Sequence, residues 1–366
     1  MKSILFIIPS LGGGGAERVV VTLLKHLDRA EFQLSLAVIN TENAIYLNDV
    51  PTDVELIDLG SRRVRGALVR LVRLIRARRP DVVFSTLGHL NLAIALIKPL
   101  LPSRTRYVGR ETSVVSKSLY LHRWPAVMRF LYKTVYRRLD TVVCQSQSMR
   151  DDLIAVYGFP AHKAVVIHNP IDIEWVRARA RENIKLIGMK PDHHNLVTAG
   201  RLSHEKGTDI LIKALAVCRD ARLNLVILGE GKRRRVLEQL ALKLGVREQV
   251  QFIGFQPNPY PYFAQADLFV LSSRVEGFPN AALEALACST PLVATPCDGM
   301  SDLAFDRSEG LLARDFSPGA LAEAIREALG NHTIFSPSIE RIRATFGVLI
   351  IASQYRDLLL GTVQEA

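Results

Sequence analysis

Residues 3–27 read SILFIIPSLGGGGAERVVVTLLKHL. An apolar run, Ile4–Ile8, ends at Pro9 and at four consecutive glycines, Gly12–Gly15. Apolar residues then return at helical spacing. A short apolar run bounded by turn residues is a buried strand, and the spaced run is an amphipathic helix. The stretch therefore predicts a strand–turn–helix step of a parallel α/β sheet. Glycines at such a turn let a phosphate or a sugar approach backbone amides and the helix N-terminus. Two phosphate motifs are excluded. The dinucleotide fingerprint G-x-G-x-x-G, counted from Gly12, needs a glycine where Glu17 stands, and no Gly-Lys-Ser/Thr follows as a P-loop requires.

The alternation continues along the 366 residues. Strands are expected at Gln33–Val38, Val54–Leu59, Val82–Ser85, Arg106–Val108, Thr141–Cys144 and Val165–Ile167. Helices are expected between most of them, at Ala16–Leu27, Val64–Arg79, Leu90–Leu100, Pro125–Leu139 and Met149–Tyr157. Residues 168–195 lack a core strand and are rich in charge and turn formers, so they read as a linker. The pattern restarts with strands at Leu196–Ala199, Leu223–Leu228, Gln251–Ile253, Leu268–Leu271 and Leu292–Ala294. Helices fall at Asp209–Arg219, Lys232–Leu244, Asn280–Ala287 and Pro318–Leu329, and residues 346–361 read as a last helix. The expected architecture is α/β with two Rossmann-like parallel-sheet domains, 1–172 and 173–345, and a C-terminal helix in 346–366. Ligands of such sheets bind outside the C-terminal strand ends. With two domains facing each other, the expected site is the cleft between them.

Charge divides the chain unevenly. The formal net charge is +11. Residues 1–170 hold 24 Lys/Arg against 13 Asp/Glu, and the remainder holds 23 of each. The excess points to an anionic partner met by the N-terminal half. Cys144, Cys218, Cys288 and Cys297 have no CxxC spacing and read as buried thiols in a reducing compartment. Ile4–Ile8 is too short for a signal peptide, and no run reaches the ~18 apolar residues of a membrane span. The expected location is cytoplasmic, with membrane contact only from the surface.

Two further segments carry chemistry. In AGRLSHEKGTDILIKAL (199–215), the strand runs into Gly200-Arg201, and Lys206-Gly207 opens the next helix. Two cations at one strand end suit a diphosphate: Arg binds bidentately and Lys acts as a point charge. In EGFPNAALEALACSTPLVAT (276–295), Glu276 precedes a helix and Glu284 lies early in it. Pro279 suits the first helical turn. Asn280, Ala281 and Ala282 then offer backbone N–H groups to an anion or sugar. The two carboxylates can reach different ends of one bound molecule.

Together these segments resemble the retaining family-4 glycosyltransferases of the GT-B fold. The matching pieces are GGGGAERV, GRLSHEKG, EGFPNAALEALA and TPLVAT, with weaker agreement in CQSQSMRDDL, VIHNPID and VILGEG. The likeness is greatest to the branch using UDP-hexose or UDP-N-acetylhexosamine donors for lipid-linked or cell-surface oligosaccharides. The resemblance implies that Gly200, Arg201 and Lys206 hold the donor diphosphate and that Glu284 binds the ribose hydroxyls. It implies that Glu276 contacts the transferred sugar, and that Asn280, Ala281 and Ala282 assist. Gly229 would lie near the nucleoside, and Gly14 and Gly15 would face the donor from the other domain. Many members carry a histidine near the reacting sugar where this chain has Glu111, in GRETSVV. Glu111 is thereby a candidate to bond the donor sugar or acceptor, alongside Glu276, Arg201 and Lys206 in the catalytic set. No Asp-x-Asp is present, which agrees with the metal-independent chemistry of the resembled fold, and no cofactor is expected. His193-His194 falls in the linker and gives no metal site.

The basic half has two notable stretches. In SRRVRGALVRLVRLIRARRP (61–80), Arg70, Arg73 and Arg76 form one helical stripe, and Val64, Leu68, Leu71 and Ile75 form the apolar face. In SLYLHRWPAVMRFLYKTVYRRL (118–139), Arg123, Arg129, Lys133, Arg137 and Arg138 mix with Tyr120, Trp124, Phe130, Tyr132 and Tyr136. Such helices suit an anionic membrane surface, here the cytoplasmic face of an inner membrane. No nucleic-acid motif accompanies the charge, so nucleic acid is not an expected partner. The expected function is sugar transfer from a UDP-sugar to a glycan acceptor, lipid-linked in the resembled branch. The alternatives are a GDP- or ADP-sugar donor, a catalytically silent nucleotide-sugar or glycan-binding protein of the same fold, and a peripheral basic adaptor for anionic lipid or nucleic acid.

Overall fold

The computed structural model describes residues 1–119, 124–303, 306–330 and 335–362. The chain divides into two compact units: residues 1–170 together with Val348 onward, and residues 171–347. The joints lie two residues from each of those expected from the sequence.

In the first unit, β1 (Lys2–Ile8), β2 (Phe32–Val38), β3 (Glu55–Asp58), β4 (Val82–Thr86), β5 (Arg106–Arg110), β6 (Thr141–Cys144) and β7 (Ala164–Val166) form one sheet. Its order is β3-β2-β1-β4-β5-β6-β7, with every pair parallel. The crossovers carry α1 (Gly15–His26), α2 (Val64–Arg78), α3 (Gly88–Ile97), α4 (Val115–Leu119), α5 (Pro125–Thr134) and α6 (Gln147–Tyr157). The expected helices at 90–100 and 125–139 end early, each followed by a 3-10 turn, Lys98–Leu100 and Tyr136–Arg138. Tyr120 and Arg123 lie outside the described residues.

The second unit begins with α7 (Ile173–Ala180), inside the segment expected to be a linker. Asp172 caps it, accepting from the Trp175 amide at 3.0 Å, and Ile173 and Val176 are buried. Charge hid a two-turn amphipathic helix there. The strands are β8 (His194–Ala199), β9 (Leu223–Leu228), β10 (Val250–Gly254), β11 (Leu268–Leu271), β12 (Leu292–Ala294) and β13 (Gly310–Leu312). All pair in parallel, in the order β10-β9-β8-β11-β12-β13. His194 thus opens a strand and is not part of a linker. The three-residue strand β13 has no counterpart in the sequence reading. The helices are α8 (Thr208–Cys218), α9 (Arg234–Lys243), α10 (Tyr260–Ala264), α11 (Asn280–Ala287), α12 (Met300–Leu303), α13 (Pro318–Gly330) and α14 (Ile339–Phe346).

The expected final helix begins only after Gly347, as α15 (Val348–Leu360). Its Ile351, Tyr355 and Leu358 belong to the core of the first unit, with Ile4, Phe6, Val20, Leu24 and Phe84. The Phe84 ring lies 5.1 Å from Phe6 and 5.8 Å, edge-on, from Tyr355. Burial of each such side chain contributes about 1.5–3 kcal/mol, so α15 is an integral layer of that unit. The second sheet is covered on both faces, by α8, α9 and α13 residues on one and α7, α10, α11 and α14 residues on the other. In both sheets the strand order reverses once, between β1 and β4 and between β8 and β11. Doubly wound sheets bind ligands outside the carboxyl strand ends at such reversals.

Candidate functional site

The reversal in the second unit brings together three loops. Residues 200–207 follow β8, Gly229–Gly231 follow β9, and Ser272–Pro279 follow β11. They are closely locked. Gly207 caps α8 at φ 61°, and a Cβ there would lie 1.9 Å from the Ser272 carbonyl oxygen. A Cβ on Gly229, at φ 142°, would lie 2.0 Å from the Gly200 carbonyl oxygen. Gly229 is thus required by backbone packing between the β8 and β9 loops, a reason separate from the nucleoside contact the resemblance implies. A small recess at the strand ends is lined by Thr198, Gly200, Lys206, Thr208, Ser272 and Ser273.

Lys206 Nζ stands 2.6 Å from Glu276 Oε1, and Ser273 Oγ donates to the same oxygen at 2.6 Å. Glu276 is 8% exposed. Two residues expected to serve different parts of a donor therefore form one ion pair. Arg201 is exposed, and its guanidinium has no hydrogen bond or ion pair among the described residues. Gly200 and Arg201 directly follow β8, at its carboxyl end. Glu284 is half-buried in the second turn of α11. The amides of Asn280–Ala282 correct the sequence reading. Pro279 caps α11 from outside it, Asn280 N–H donates to the Phe278 carbonyl, and Ala282 N–H donates to the Pro279 carbonyl. Two of the three expected donors are thus already engaged within the turn.

One carboxylate in this region was not singled out in the sequence. Asp209, in the first turn of α8, accepts both terminal nitrogens of Arg274 at 2.9 and 2.7 Å, and Arg233 at 3.3 Å. Arg274 also donates to the His204 carbonyl at 2.9 Å, and its amide donates to the Glu205 carbonyl at 2.7 Å. Burial pushes the Asp209 carboxyl up, but Arg274 and Arg233 outweigh it and hold the group below the usual aspartate value. Asp209 thereby ties the β8, β9 and β11 loops together. The acid in a first helical turn was a readable signal. Its partners, 24 and 65 positions downstream, were not.

The candidates of the first unit are placed differently. Gly14 is the N-cap of α1 and Gly15 its first residue. A Cβ on Gly14 would lie 2.3 Å from Glu17 Oε2. The Glu17 carboxylate thus folds back over the helix N-terminus, the place expected for a ligand anion, as the acid of a capping box does. Glu111 corrects an expectation. It is 2% exposed, enclosed just beyond β5, and offers no surface to a sugar or acceptor. Tyr132 Oη donates to its Oε1 at 3.2 Å, and Tyr136 Oη donates to the same oxygen. Burial pushes the carboxyl up despite these donors.

The basic surface is largely open. Arg62, Arg63, Arg65, Arg73 and Arg76 are exposed on and before α2. Ala67, Leu71 and Ile75 make its buried face, whereas the expected Val64 and Leu68 are half-buried. Arg70 and Arg76 are not free members of the stripe, since Arg70 donates to the Leu59 and Gly60 carbonyls and Arg76 to the Leu100 carbonyl. Trp124 and Phe130 are each 63% exposed and Val127 is 49% exposed, beside exposed Arg129, Lys133, Arg137 and Arg138. Tyr132 and Tyr136 are buried. Among the described residues no helix is long and apolar enough to cross a membrane.

Solved structures share this architecture. The Anabaena protein HepE, crystallised with UDP-glucose, superposes with a TM-score of 0.83 at 22% identity over 99% of this chain and 100% of its own. WaaG, a glycosyltransferase involved in lipopolysaccharide biosynthesis, superposes with a TM-score of 0.75 at 19% identity over 98% and 100%. The fold is GT-B. Residues 13–175 match the family described as Glycosyltransferase Family 4, and residues 180–342 match Glycosyl transferases group 1. The N-acetylgalactosamine-N,N'-diacetylbacillosaminyl-diphospho-undecaprenol 4-alpha-N-acetylgalactosaminyltransferase of Campylobacter jejuni is 30% identical over 338 residues, 90% of each chain. A second Campylobacter jejuni enzyme, a GalNAc-alpha-(1->4)-GalNAc-alpha-(1->3)-diNAcBac-PP-undecaprenol alpha-1,4-N-acetyl-D-galactosaminyltransferase, is 27% identical over 354 residues, again 90% of each. The chain belongs to the family-4 glycosyltransferases.

Proposed function

We propose that this glycosyltransferase moves a hexose or N-acetylhexosamine from a UDP-sugar to a lipid-linked glycan, with retention at the anomeric carbon and without a metal ion. The two Campylobacter relatives are named for transfer to undecaprenol-diphosphate glycans, which supports the acceptor class. The observation that carries the donor reading is the Lys206–Glu276 pair at the β8/β11 reversal, in the same loop as an exposed Arg201 that has no hydrogen bond or ion pair among the described residues. In this reading Arg201 and Lys206 neutralise the diphosphate as the sugar–oxygen bond breaks. The acceptor oxygen bonds to the anomeric carbon, and its proton passes to the departing phosphate oxygen. Cations already in place stabilise that charge without reorganisation. Glu276 then orients the sugar, and Glu284 the ribose.

The exposed Trp124, Val127 and Phe130, with the arginines of α2, dock the enzyme peripherally on anionic lipid, where its acceptor resides. The test is a panel of radiolabelled UDP-sugars with polyprenyl-diphosphate-linked acceptors, run in EDTA. Transfer is expected, and Arg201→Ala and Lys206→Ala should each lower kcat by roughly 10²–10³-fold. Unchanged donor turnover in both variants would remove the assignment. Binding without turnover across the panel would favour the silent binding protein.

A further inference from the structure

Among the described residues, helix α5 buries little of its surface. Tyr132 is its one buried residue, while Val127, Arg129, Phe130 and Lys133 face solvent. The Tyr132 ring packs 4.6 Å from that of Tyr136, in the turn after α5, and 5.4 Å from that of Tyr157 on α6. The Tyr157 hydroxyl is buried with no hydrogen-bond partner among the described residues, so its contribution is the ring contact. The Tyr132 and Tyr136 hydroxyls converge on a single oxygen of Glu111.

The receptor is tied to its neighbours by backbone and side-chain hydrogen bonds. The Glu111 amide donates to the Val143 carbonyl at 2.9 Å, and Gln145 Nε2 donates to the Glu111 carbonyl at 2.8 Å. Asn91 of α3 donates to Tyr136 Oη at 3.2 Å. Gly88 completes the enclosure, since a Cβ there would lie 2.3 Å from Tyr132 Oη and 3.0 Å from Glu111 Oε2. The preceding Leu87 holds φ 78°, a conformation leucine disfavours and one that persists only where its surroundings over-determine it. No lysine or arginine among the described residues pairs with Glu111. A buried carboxylate without a cation depends on hydrogen-bond donors. Two of those donors here belong to α5 and the turn behind it.

We infer that Glu111 is a positioning residue: its carboxylate is the buried receptor onto which Tyr132 and Tyr136 latch, fixing α5 to the carboxyl ends of β4 and β5. Ring packing alone would hold the helix without setting its rotation, whereas two hydroxyls meeting one oxygen set both. The aromatic and basic face of α5 is then presented in one orientation. That this face meets the acceptor's lipid surface rests on the function proposed above. The latch itself does not.

Three substitutions reach the latch from different sides: Glu111→Gln removes the charge, Tyr132→Phe removes the hydroxyl, and Gly88→Ala fills the space the hydroxyl occupies. Hydrogen–deuterium exchange on the full chain should show amides of residues 125–134 exchanging about tenfold faster in each, with β1 and β4 unchanged. The Glu111→Gln/Tyr132→Phe double variant should exchange little faster than either single one, as members of one network do. Kinetically, the acceptor KM should rise about tenfold, the loss of one such bond, while acceptor-independent donor hydrolysis stays within about twofold. Unchanged exchange over 125–134 in Tyr132→Phe and Gly88→Ala overturns the latch, whatever Glu111→Gln does to folding. Loss of donor hydrolysis in Glu111→Gln but not in Tyr132→Phe returns Glu111 to a catalytic role. If the wild type transfers no sugar, the proposed function fails, and the exchange result still decides the latch.

Discussion

Replacing Gly207 by alanine measures how tightly the loops at the β8/β11 reversal are registered. The added Cβ meets the Ser272 carbonyl oxygen at 1.9 Å and its carbon at 2.9 Å. Non-bonded heavy atoms need roughly 3 Å or more, so the two backbones must part by about 1 Å. The obstruction is a carbonyl, and no rotamer change relieves it. Parting pulls the Ser272 hydroxyl from the Lys206 carbonyl, now 3.2 Å away, and lengthens the 2.6 Å Lys206–Glu276 contact. A 1 Å displacement in a reacting constellation costs on the order of 10²-fold in rate. The left-handed backbone at φ 61° adds about 1–2 kcal/mol of general destabilisation. Gly245 separates the two effects. It also has positive φ, 72°, but nothing lies within 4 Å of its Cβ direction. Gly245→Ala should lower the melting temperature yet leave kcat/KM within about twofold, because its loop is far from any clash. Gly207→Ala should lower kcat/KM for the donor about 10²-fold in a protein that still melts cooperatively. The assay is initial-rate donor hydrolysis with matched thermal melts. A Gly207→Ala rate within about threefold of Gly245→Ala would refute the idea that this contact registers Lys206 against Glu276.

Asp209→Asn should destabilise the second unit by about 2 kcal/mol at pH 7, because two partly exposed arginines lose their shared carboxylate. The folded Asp209 carboxyl lies below its ordinary 3.8. Its contribution is therefore fully present above that value and is lost as pH falls through the lowered one. Denaturation profiles should show the variant's deficit shrinking below about pH 4, and a deficit constant with pH would be wrong for this pairing. Trp124→Ser/Phe130→Ser should reduce flotation with anionic vesicles at both 0.1 and 0.5 M salt, whereas Arg65→Gln/Arg73→Gln should act mainly at the lower, where screening is weaker. Equal flotation of all three proteins on anionic and neutral vesicles would count against the basic face as the docking surface.

The most legible strands were so because they are buried along their whole length. Buried parallel strands are continuous apolar runs, and Thr141–Cys144, Leu223–Leu228, Leu268–Leu271 and Leu292–Ala294 match the expected bounds to the residue. The failures have local causes. α7 carries its buried residues at only Ile173 and Val176 amid three charges, so periodicity was faint. β13 is three residues long, and its glycine is demanded by tertiary approach: a Cβ on Gly310 would sit 1.9 Å from the Leu292 carbonyl oxygen. The positions of Arg201, Lys206 and Glu276 followed from strand ends, which the sequence marks. Their pairing did not. Lys206 and Glu276 are 70 residues apart, and only the reversed strand order makes β8 and β11 neighbours. Glu111 shows the same limit from the other side. Its place at the end of β5 could be read, but not the return of Tyr132, 21 residues on, to bury it.

Each sheet has its own strand-order reversal, and the two units fill theirs in opposite ways. At the β8/β11 reversal an exposed Arg201 and a half-buried Lys206 give the strand ends accessible positive charge. At the β1/β4 reversal the charge is spent internally. The Glu17 carboxylate covers the N-terminus of α1, and Glu111 is closed over by tyrosines. Arg110 at the end of β5 is fully buried and donates to Tyr355, Thr86 and Asn169. An anion approaching Gly14 therefore meets a resident carboxylate, while the exposed Arg201 guanidinium holds no hydrogen bond or ion pair among the described residues. Binding free energy follows that difference, because a helix N-terminus already neutralised gains little from a second anion. Of the two reversals, the one in the second unit accordingly carries the accessible positive charge. The glycines that open the chain serve first to bring Glu17 within reach of its own helix.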